Sequence, residues 1–390
     1  MKNIKLADYC FIKAAGDKPK EFLEYKTEKY NIPIYANSSE NDGLYGYTTK
    51  PKILENSVTI SARGSCGYIA YRNAPYYPII RLISLISKDE NILDTKYLYY
   101  LLKYKTFFST GSVQKQITIP IVSEYCFDIF EDIEYQKKIA NFLWKIDQKI
   151  DLNNKINTEL ESMAKTLYNY WFLQFEFPNE KGKPYKTSGG KMIWNEELKR
   201  EIPEGWEVKN IKEFATVTWG QCPDGANILP LDTKEDSILY CSGAGDMRNG
   251  FVVDCQARTN ASRRKAYKDD ILMSVAGSIG ALCVCDREIS LGRAAVAFAP
   301  KKGTKLYTYF LISMFIDRMK SISSGSIQKV VNDNHLNDMM FAYNEKIINN
   351  FSMFNDIFDL MIQFNKENQE LSSLCDFLLP LLINGQVKID

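Results

Sequence analysis

Ser109-Thr110-Gly111-Ser112-Val113-Gln114-Lys115 returns later in the chain as Ser323-Ser324-Gly325-Ser326-Ile327-Gln328-Lys329. Each copy precedes a long segment with the apolar spacing of a coiled coil. Working outward, a second pair keeps nearly the same offset: Ser61-Ala62-Arg63-Gly64-Ser65-Cys66-Gly67 against Ser274-Val275-Ala276-Gly277-Ser278-Ile279-Gly280. A fainter third pair sets Asn3-Ile4-Lys5 against Asn210-Ile211-Lys212. The order is the same in both halves, so a globular unit followed by a helix is written twice in tandem. Such a chain holds two similar but non-identical surfaces, which suits a two-part measurement better than a single-pocket enzyme.

The repeat divides the 390 residues. Residues 1–131 form a first globular domain, and 132–177 a long helix. Residues 178–204 are a linker, polar and rich in Gly and Pro, closed by Ile202-Pro203-Glu204-Gly205-Trp206. Residues 205–343 form a second domain. The C-terminal part, 344–390, carries a second long helix that runs to about residue 383. Ile53–Ile60 and Ile271–Ala276 read as strands, each running into a Gly-Ser-x-Gly turn where glycine supplies unusual backbone angles. Tyr97–Leu102 and Tyr307–Ile312 read as short amphipathic helices. Each unit is therefore α+β.

In the first long helix the apolar positions are Ile139, Leu143, Ile146 and Ile150, then Leu160, Leu167 and Trp171, interrupted by Asn153 and Asn157. The second offers Ile347, Phe351, Phe354, Phe358 and Met361, then Asn365 and Asn368, then Leu371, Leu374, Leu378 and Leu382. Three-four spacing marks a coiled-coil seam, and buried Asn specifies register. Matching polar breaks predict that the two helices pair with each other, antiparallel, with their polar layers meeting. Residues 139–171 would span about 50 Å.

Composition excludes several classes. Hydrophobic content of 45% with 13% aromatics supports real cores. No run of about 18 uncharged apolar residues exists, so no membrane span is expected. Acid arrives too early after Met1 for a secretory signal. Nine cysteines are scattered without a C-x-x-C pair, which fits a reduced cytoplasm. Cys283 and Cys285 alternate as core residues of one strand would. With His335 as the one histidine, a His-rich metal site and a repeated His triad are excluded. No metal site is expected. Net charge is +1, so a nucleic-acid binder must gather its positive charge on one face.

Enzyme motifs are absent or broken. Asn73-Ala74-Pro75-Tyr76 is similar to the Asn-Pro-Pro-Tyr motif of amino-methyltransferases, with alanine for the first proline. The single Gly-x-Gly near a strand, Gly243-Ala244-Gly245, lies far downstream of it, where no methyl donor would be served. No P-loop is present. Pro223-Asp224 could open a nuclease metal site, but no Glu-x-Lys follows it. No catalytic residue is assigned. What remains is a pair of polar turns with basic neighbours. In the first unit these are Arg63, Ser65, Gln114 and Lys115, with Lys13 and Lys18 upstream. In the second they are Ser278, Gln328, Lys329, Arg293 and the run Arg263-Arg264-Lys265, which has no match in the first copy. Glycine-turn amides and hydroxyls suit phosphates, and Arg, Lys and Gln suit base edges. The same turns would equally serve as tight fold-defining turns, and the basic run as a solvated surface.

The whole chain resembles the specificity subunit of type I restriction–modification systems. Ile202-Pro203-Glu204-Gly205-Trp206-Glu207-Val208-Lys209 resembles the opening of a target recognition domain, and Leu378-Leu379-Pro380-Leu381-Leu382-Ile383-Asn384-Gly385-Gln386-Val387 the family's last helix. Gln136-Lys137-Lys138-Ile139-Ala140, Lys149-Ile150-Asp151-Leu152-Asn153, and Ile34-Tyr35-Ala36-Asn37 followed by Gly43 to Tyr47 are also family-like. The resemblance implies two mixed α/β target recognition domains joined by two long antiparallel coiled-coil helices in a pseudo-twofold repeat. Each domain would read one half of a bipartite site on double-stranded DNA, with the helices setting the gap. It implies a non-catalytic cytoplasmic chain that binds no cofactor itself. Two methyltransferase subunits using S-adenosylmethionine, and restriction subunits using ATP and Mg, would be its partners. Phe142, Trp144, Tyr168, Phe172 and Phe377, lying off the seam, are the candidate methyltransferase contacts.

Overall fold

The computed structural model describes residues 1–104, 116–233, 235–247, 251–322 and 331–389. Both copies of the repeated Gly-Ser…Gln-Lys stretch, with Gln114, Lys115, Gln328 and Lys329, lie outside the described residues. The chain divides into two compact units. One is Met1–Lys149 with the C-terminal stretch from Leu371, and the other is Ile150–Glu370.

In the first unit, strands Cys10–Ala14, Ile83–Ser87, Ser57–Ile60 and Ile69–Arg72 form an antiparallel sheet in that spatial order. Every residue of Ser57–Ile60 is buried, because the sheet is covered on both faces. One face takes helix Thr95–Tyr104. Asp94 starts that helix by accepting a hydrogen bond from the Tyr97 N–H at 2.7 Å. The expectation of a short amphipathic helix fails here. Tyr97 through Leu102 are all buried, since the far side of the helix meets the first long helix through Tyr100, whose hydroxyl donates to Asp147 at 2.7 Å. A smaller sheet, Leu44–Thr48, Ile32–Tyr35 and Tyr77–Pro78, has its last pair parallel. The ribbon Lys2–Lys5 with Cys126–Ile129 ties the start of the domain to its end.

The second unit repeats this plan. Strands Thr216–Trp219, Ala295–Ala299, Ile271–Ser274 and Leu282–Val284 make the same antiparallel sheet in the same order. Glu207–Asn210 pairs with Met340–Tyr343 as the closing ribbon. Its second sheet also has a parallel pair, Ile238–Cys241 beside Ile289–Leu291, but carries five strands. Ile228–Leu229 and Lys265–Ala266 are added at its edges. Helix Lys305–Ile322 stands where Thr95–Tyr104 stood. Tyr307 through Ile312 are buried all round, so this segment too is a core helix and not an amphipathic one.

The third sequence pair needs correcting. Asn210 ends its ribbon just before the helical turn Ile211–Phe214, and Lys5 does so before Leu6–Tyr9. Lys5, not Asn3, is therefore the counterpart of Asn210. Leu6 and Ile211, both fully buried, mark the true register. Burial of the first apolar side chain, rather than residue identity, sets it.

Ile133–Tyr168 is one α-helix, extended through a wider turn at Asn169–Leu173. The second long segment is not continuous. Glu345–Phe351 ends in a tighter turn, Ser352–Phe354, before Asn355–Ile383 begins. Phe351 is drawn into the core against Trp171 and Phe172. Asn355 fixes the new start, accepting from the Leu306 N–H at 3.2 Å and donating to the Gly303 carbonyl at 2.7 Å. Within the second unit the helices run antiparallel, with Asn153 beside Asn368 and Trp171 beside Phe354. The polar layers meet. Buried Asn153 donates to Asn368 Oδ1 (2.9 Å) and Glu367 Oε2 (2.8 Å), and Asn368 donates to Asn154 at 2.8 Å. Asn365 does not join them; it accepts the Val252 N–H at 3.2 Å and so holds the domain. In the first unit the buried positions of the C-terminal helix are Cys375, Leu379, Leu382 and Ile383, while Leu374 is exposed. Leu382 keeps its expected place in the seam, while Cys375 and Leu379 are buried in place of Leu374 and Leu378, a cysteine packing there as a small hydrophobe.

Candidate nucleic-acid interface

Where the two sheets of each domain meet, two backbones cross. In the second unit the chain leaving Thr216–Trp219 meets the chain leaving Ile289–Leu291. Gly220 N–H donates to the Ala295 carbonyl (3.0 Å), Gln221 N–H to Leu291 (2.9 Å) and Gly292 N–H to Cys241 (2.8 Å). A Cβ at Gly220 would lie 2.0 Å from the Gly292 oxygen, and one at Gly292 would lie 2.6 Å from the Tyr240 hydroxyl. Only glycine permits this approach. On the other side of Leu291, its N–H donates to the Arg264 carbonyl at 2.8 Å. Gln221 and Arg264 thus flank one strand end, with Arg293 just beyond it.

The charges there are sorted. Arg263 pairs with Asp224 at 3.3 Å and Lys265 with Glu288 at 2.5 Å. Arg264 and Arg293 are exposed and meet no acid partner among the described residues. Burial pushes the half-buried Cys222 thiol up. The Tyr240 hydroxyl, donating at 3.4 Å, together with the Arg293 backbone N–H and positive charge, outweighs that and holds the thiol below its ordinary value.

The first unit makes the same crossing with different residues. Ala15 N–H donates to Leu82 (2.9 Å), Ile80 N–H to Gly16 (2.9 Å), Arg81 N–H to Ala15 (3.2 Å) and Ile79 N–H to Tyr35 (2.9 Å). Ile80 and Arg81 have φ of 55° and 59°, in the left-handed region that a β-branched residue resists. The Asn37 amide holds this strained pair by donating to the Ile80 carbonyl, and its Oδ1 accepts the Ala62 N–H at 2.8 Å. Ile80 is 54% exposed, and Arg81 is exposed. Lys13 and Lys52 line the cleft beside Gly16.

The two Gly-Ser-x-Gly turns are one structure. Gly67 N–H donates to Ser61 (2.8 Å) and Gly280 N–H to Ser274 (3.0 Å), and each turn closes through a second backbone bond, Ser61 to Tyr68 and Ser274 to Ala281. Ser65 is engaged by this fold, its hydroxyl meeting the Ser39 N–H and Oγ, both at 3.0 Å. Ser278 is exposed, and its carbonyl accepts the Ser274 hydroxyl at 2.7 Å. Arg63 is exposed and donates to Gln116 at 2.9 Å, while Lys18 lies over the Phe22 ring. The structure therefore brings Lys13 to one crossing and Arg263, Arg264, Lys265 and Arg293 to the other. Arg63, Ser65 and Ser278 belong to the neighbouring turns. Ile80, Arg81, Gly220, Gln221 and Gly292 were not singled out from sequence; Gly292 beside Arg293 was the available signal.

Two partner candidates need correcting. Tyr168 and Phe172 are buried in the second domain's core, packed tilted or edge-on among Tyr307, Phe310 and Phe351, and present no surface. Trp144 is half-buried, edge-on to Tyr71 at 5.3 Å. Phe142 and Phe377 are 39% and 65% exposed. Tyr76, last residue of the Asn73-Ala74-Pro75-Tyr76 stretch, is fully buried with its hydroxyl between Ser57 and Ser84, both at 2.9 Å. It cannot stack on an extruded base, so the methyltransferase alternative loses its aromatic platform. His335 belongs to a helix cap, its Nδ1 accepting the Asn332 N–H at 3.1 Å. Among the described residues, no group of three or more His, Cys, Asp or Glu could hold a metal ion, and no helix is long and apolar enough to cross a membrane.

The family model described as "Type I restriction modification DNA specificity domain" matches twice, at residues 1–162 and 203–341. The chain belongs to that family. Two Mycoplasma pneumoniae chains that bear the name type I specificity subunit are 33% and 34% identical to it. Each alignment covers 40% of this chain, and 46% and 45% of those relatives. The chain thus spans about half the length of these specificity subunits. The type I restriction enzyme MjaIX specificity subunit of Methanocaldococcus jannaschii is 24% identical over 86% of this chain and 78% of its own. The crystal structure of a type-I restriction-modification system S subunit from M. genitalium shares the fold, with a TM-score of 0.60 at 18% identity over 98% of this chain and 95% of that one.

Proposed function

We propose that this chain is the DNA sequence-specificity subunit of a type I restriction–modification complex. Domains 1–131 and 205–343 each read one half of a bipartite double-stranded site, and the two long helices set the gap between the halves. One observation carries this reading. The same scaffold occurs twice in one chain, and its equivalent crossings present different exposed side chains. Lys13, Lys18, Arg63, Arg81, Arg263, Arg264, Lys265 and Arg293 supply the positive charge for DNA, in a chain whose net charge is only +1. The pairs 114–115 and 328–329 and Ser278 remain candidate contacts.

The chain is not itself catalytic in this reading and binds no cofactor. Two methyltransferase subunits bring S-adenosylmethionine, and restriction subunits bring ATP and Mg. Exposed Phe142 and Phe377 are the surface offered to the methyltransferases. The site of action is the cytoplasm. Methylome sequencing of cells expressing the chain with its neighbouring methyltransferase gene tests the proposal. A split motif with a non-specific gap is expected. A continuous motif, or methylation with no sequence preference, overturns it; the latter would indicate a coiled-coil scaffold that reads no DNA.

A further inference from the structure

We infer that base reading is concentrated at the backbone crossing of each domain, through Gln221, Arg264 and Arg293 in the second and Ile80 and Arg81 in the first. This rests on the DNA-reading function proposed above and says which atoms carry it.

Three independent features converge on these positions. The first is topological. The Ile79–Tyr35 and Gly292–Cys241 backbone bonds are the same bond in the two copies, as are Ala15–Leu82 and Gly220–Ala295. Ile80 and Arg293 therefore occupy equivalent places. The surrounding sheet is repeated, yet the exposed chemistry is not: an isoleucine and an arginine stand against two arginines and a glutamine. A fold constraint would make the two crossings alike. Two different half-sites require them to differ.

The second feature is backbone strain. Two consecutive non-glycine residues with positive φ, one β-branched, are strained and persist only where their surroundings hold them. Glycine would relieve that strain, and the equivalent Arg293 and Ala294 of the second copy do not have positive φ. The first copy keeps Ile80 and Arg81, clamps them with Asn37, and leaves Ile80 open to solvent. An exposed apolar side chain held at a strained position on a basic rim suits a thymine methyl group.

The third feature is electrostatic sorting. In the run Arg263-Arg264-Lys265 the outer two residues each meet a carboxylate, while Arg264 does not. Arg293 likewise has no acid partner among the described residues. An arginine free of internal acids keeps its planar fork available for the O6 and N7 acceptors of guanine, and a nearby glutamine suits adenine. Arg263 and Lys265, already partly neutralised, are placed for phosphates, which position the protein without reading sequence.

The chemistry predicts guanine with adenine in the second half-site and a thymine with a guanine in the first. Full-length variants are expressed with the methyltransferase gene, and their methylomes are compared with wild type. Arg264→Ala and Arg293→Ala should each relax one position of the second half-site by roughly tenfold to a hundredfold. The first half-site should stay intact. Ile80→Ala and Arg81→Ala should do the reverse. Arg263→Ala and Lys265→Ala should lower occupancy evenly while leaving every letter of the motif in place.

Cys222 supplies a second readout that does not depend on a variant folding. In the assembled wild-type complex, its alkylation by iodoacetamide, located by peptide mapping, should be blocked by a duplex carrying the motif. A duplex altered only in the second half-site should leave it reactive. The inference is overturned if wild type yields a split motif while Arg264→Ala, Arg293→Ala, Ile80→Ala and Arg81→Ala all methylate that same motif at wild-type selectivity. Cys222 reacting equally with both duplexes also overturns the second-domain assignment. A wild-type chain giving no split motif would instead sink the parent reading.

Discussion

The two copies keep one sheet and change the other. The four-stranded sheet has the same strand order in both domains, and its central strands are buried on both faces. The second sheet has three strands in the first domain and five in the second. The difference lies entirely at its edges, where an added strand carries part of the Arg263-Arg264-Lys265 run. An edge strand has backbone groups to spare and few neighbours to satisfy, so it can be added without repacking the core. Variation is cheap at the edge and at the crossing, and costly in the buried sheet. That is the arrangement a protein needs if its recognition surface must change while its scaffold must not.

The anchoring of the two domains differs as well. In the first unit, fully buried Gln136 on the long helix accepts from the Asp94 N–H (3.1 Å) and donates to the Ile92 (2.9 Å) and Phe130 (2.7 Å) carbonyls. It is a neutral clamp. In the second, buried Asp286 holds Arg287 at 2.8 Å and reaches Lys366 on the C-terminal helix at 3.1 Å. Burial pushes the Asp286 carboxyl up, but the two cations outweigh it and hold it below the ordinary carboxylate range.

The largest effect is expected from exchanging residues 206–343 for another recognition domain. Methylome sequencing should show one half of the motif replaced and the other unchanged; a change in both halves would end the idea of independent readers. Lengthening both long helices by matched whole turns should widen the gap and leave both halves intact. A motif with altered letters and an unchanged gap would refute the spacer role.

Gly220→Val should destabilise the second unit by about 3 kcal/mol, since its Cβ has no room beside the Gly292 carbonyl. The counterpart Ala15 already carries a Cβ, so Ala15→Gly should cost less than about 1 kcal/mol. Denaturant midpoints would compare the two, and equal losses would contradict the assigned equivalence.

Gln136→Leu should cost about 2 kcal/mol by orphaning buried backbone groups, and the loss should not vary with pH. Asp286→Asn should cost a similar amount at neutral pH. Because the Asp286 pKa is depressed in the fold, its contribution is present above the unfolded value near 3.9 and disappears as pH falls through the lower folded value. Unfolding curves of both variants from pH 7 down to acid should therefore converge on wild type for Asp286→Asn only. Asn153→Ala should cost about 1 kcal/mol in denaturant unfolding, through the loss of its bonds to Glu367 and Asn368.

Much of this molecule was legible in its residues. Tandem motifs, apolar spacing and the paired asparagines were enough for two α+β domains, a helix pair and its antiparallel sense. Those features are local or periodic, so one dimension records them. Family membership rested on short stretches such as Ile202–Lys209, which the family match bears out by spanning both copies. The seam residues Ile139, Leu143 and Ile146 are buried as expected, and what failed was the assignment of positions off that seam. Tyr168 and Phe172 looked like surface because they lie off a helical seam, yet a third layer, helix Lys305–Ile322, buries them. Leu374 looked like seam and is exposed, while Cys375 takes its place.

By itself the sequence determined that the fold is duplicated, that each copy ends in a helix, and where polar residues interrupt the pairing, because repetition and period survive in a linear string. Which basic residues stand free depends on the folded chain. Asp224 and Glu288 lie 39 and 23 residues from the cations they neutralise, and the crossing that sets Arg264 beside Arg293 is made by hydrogen bonds between segments far apart in the chain. Charge sorting is a property of three-dimensional proximity, which no local pattern encodes.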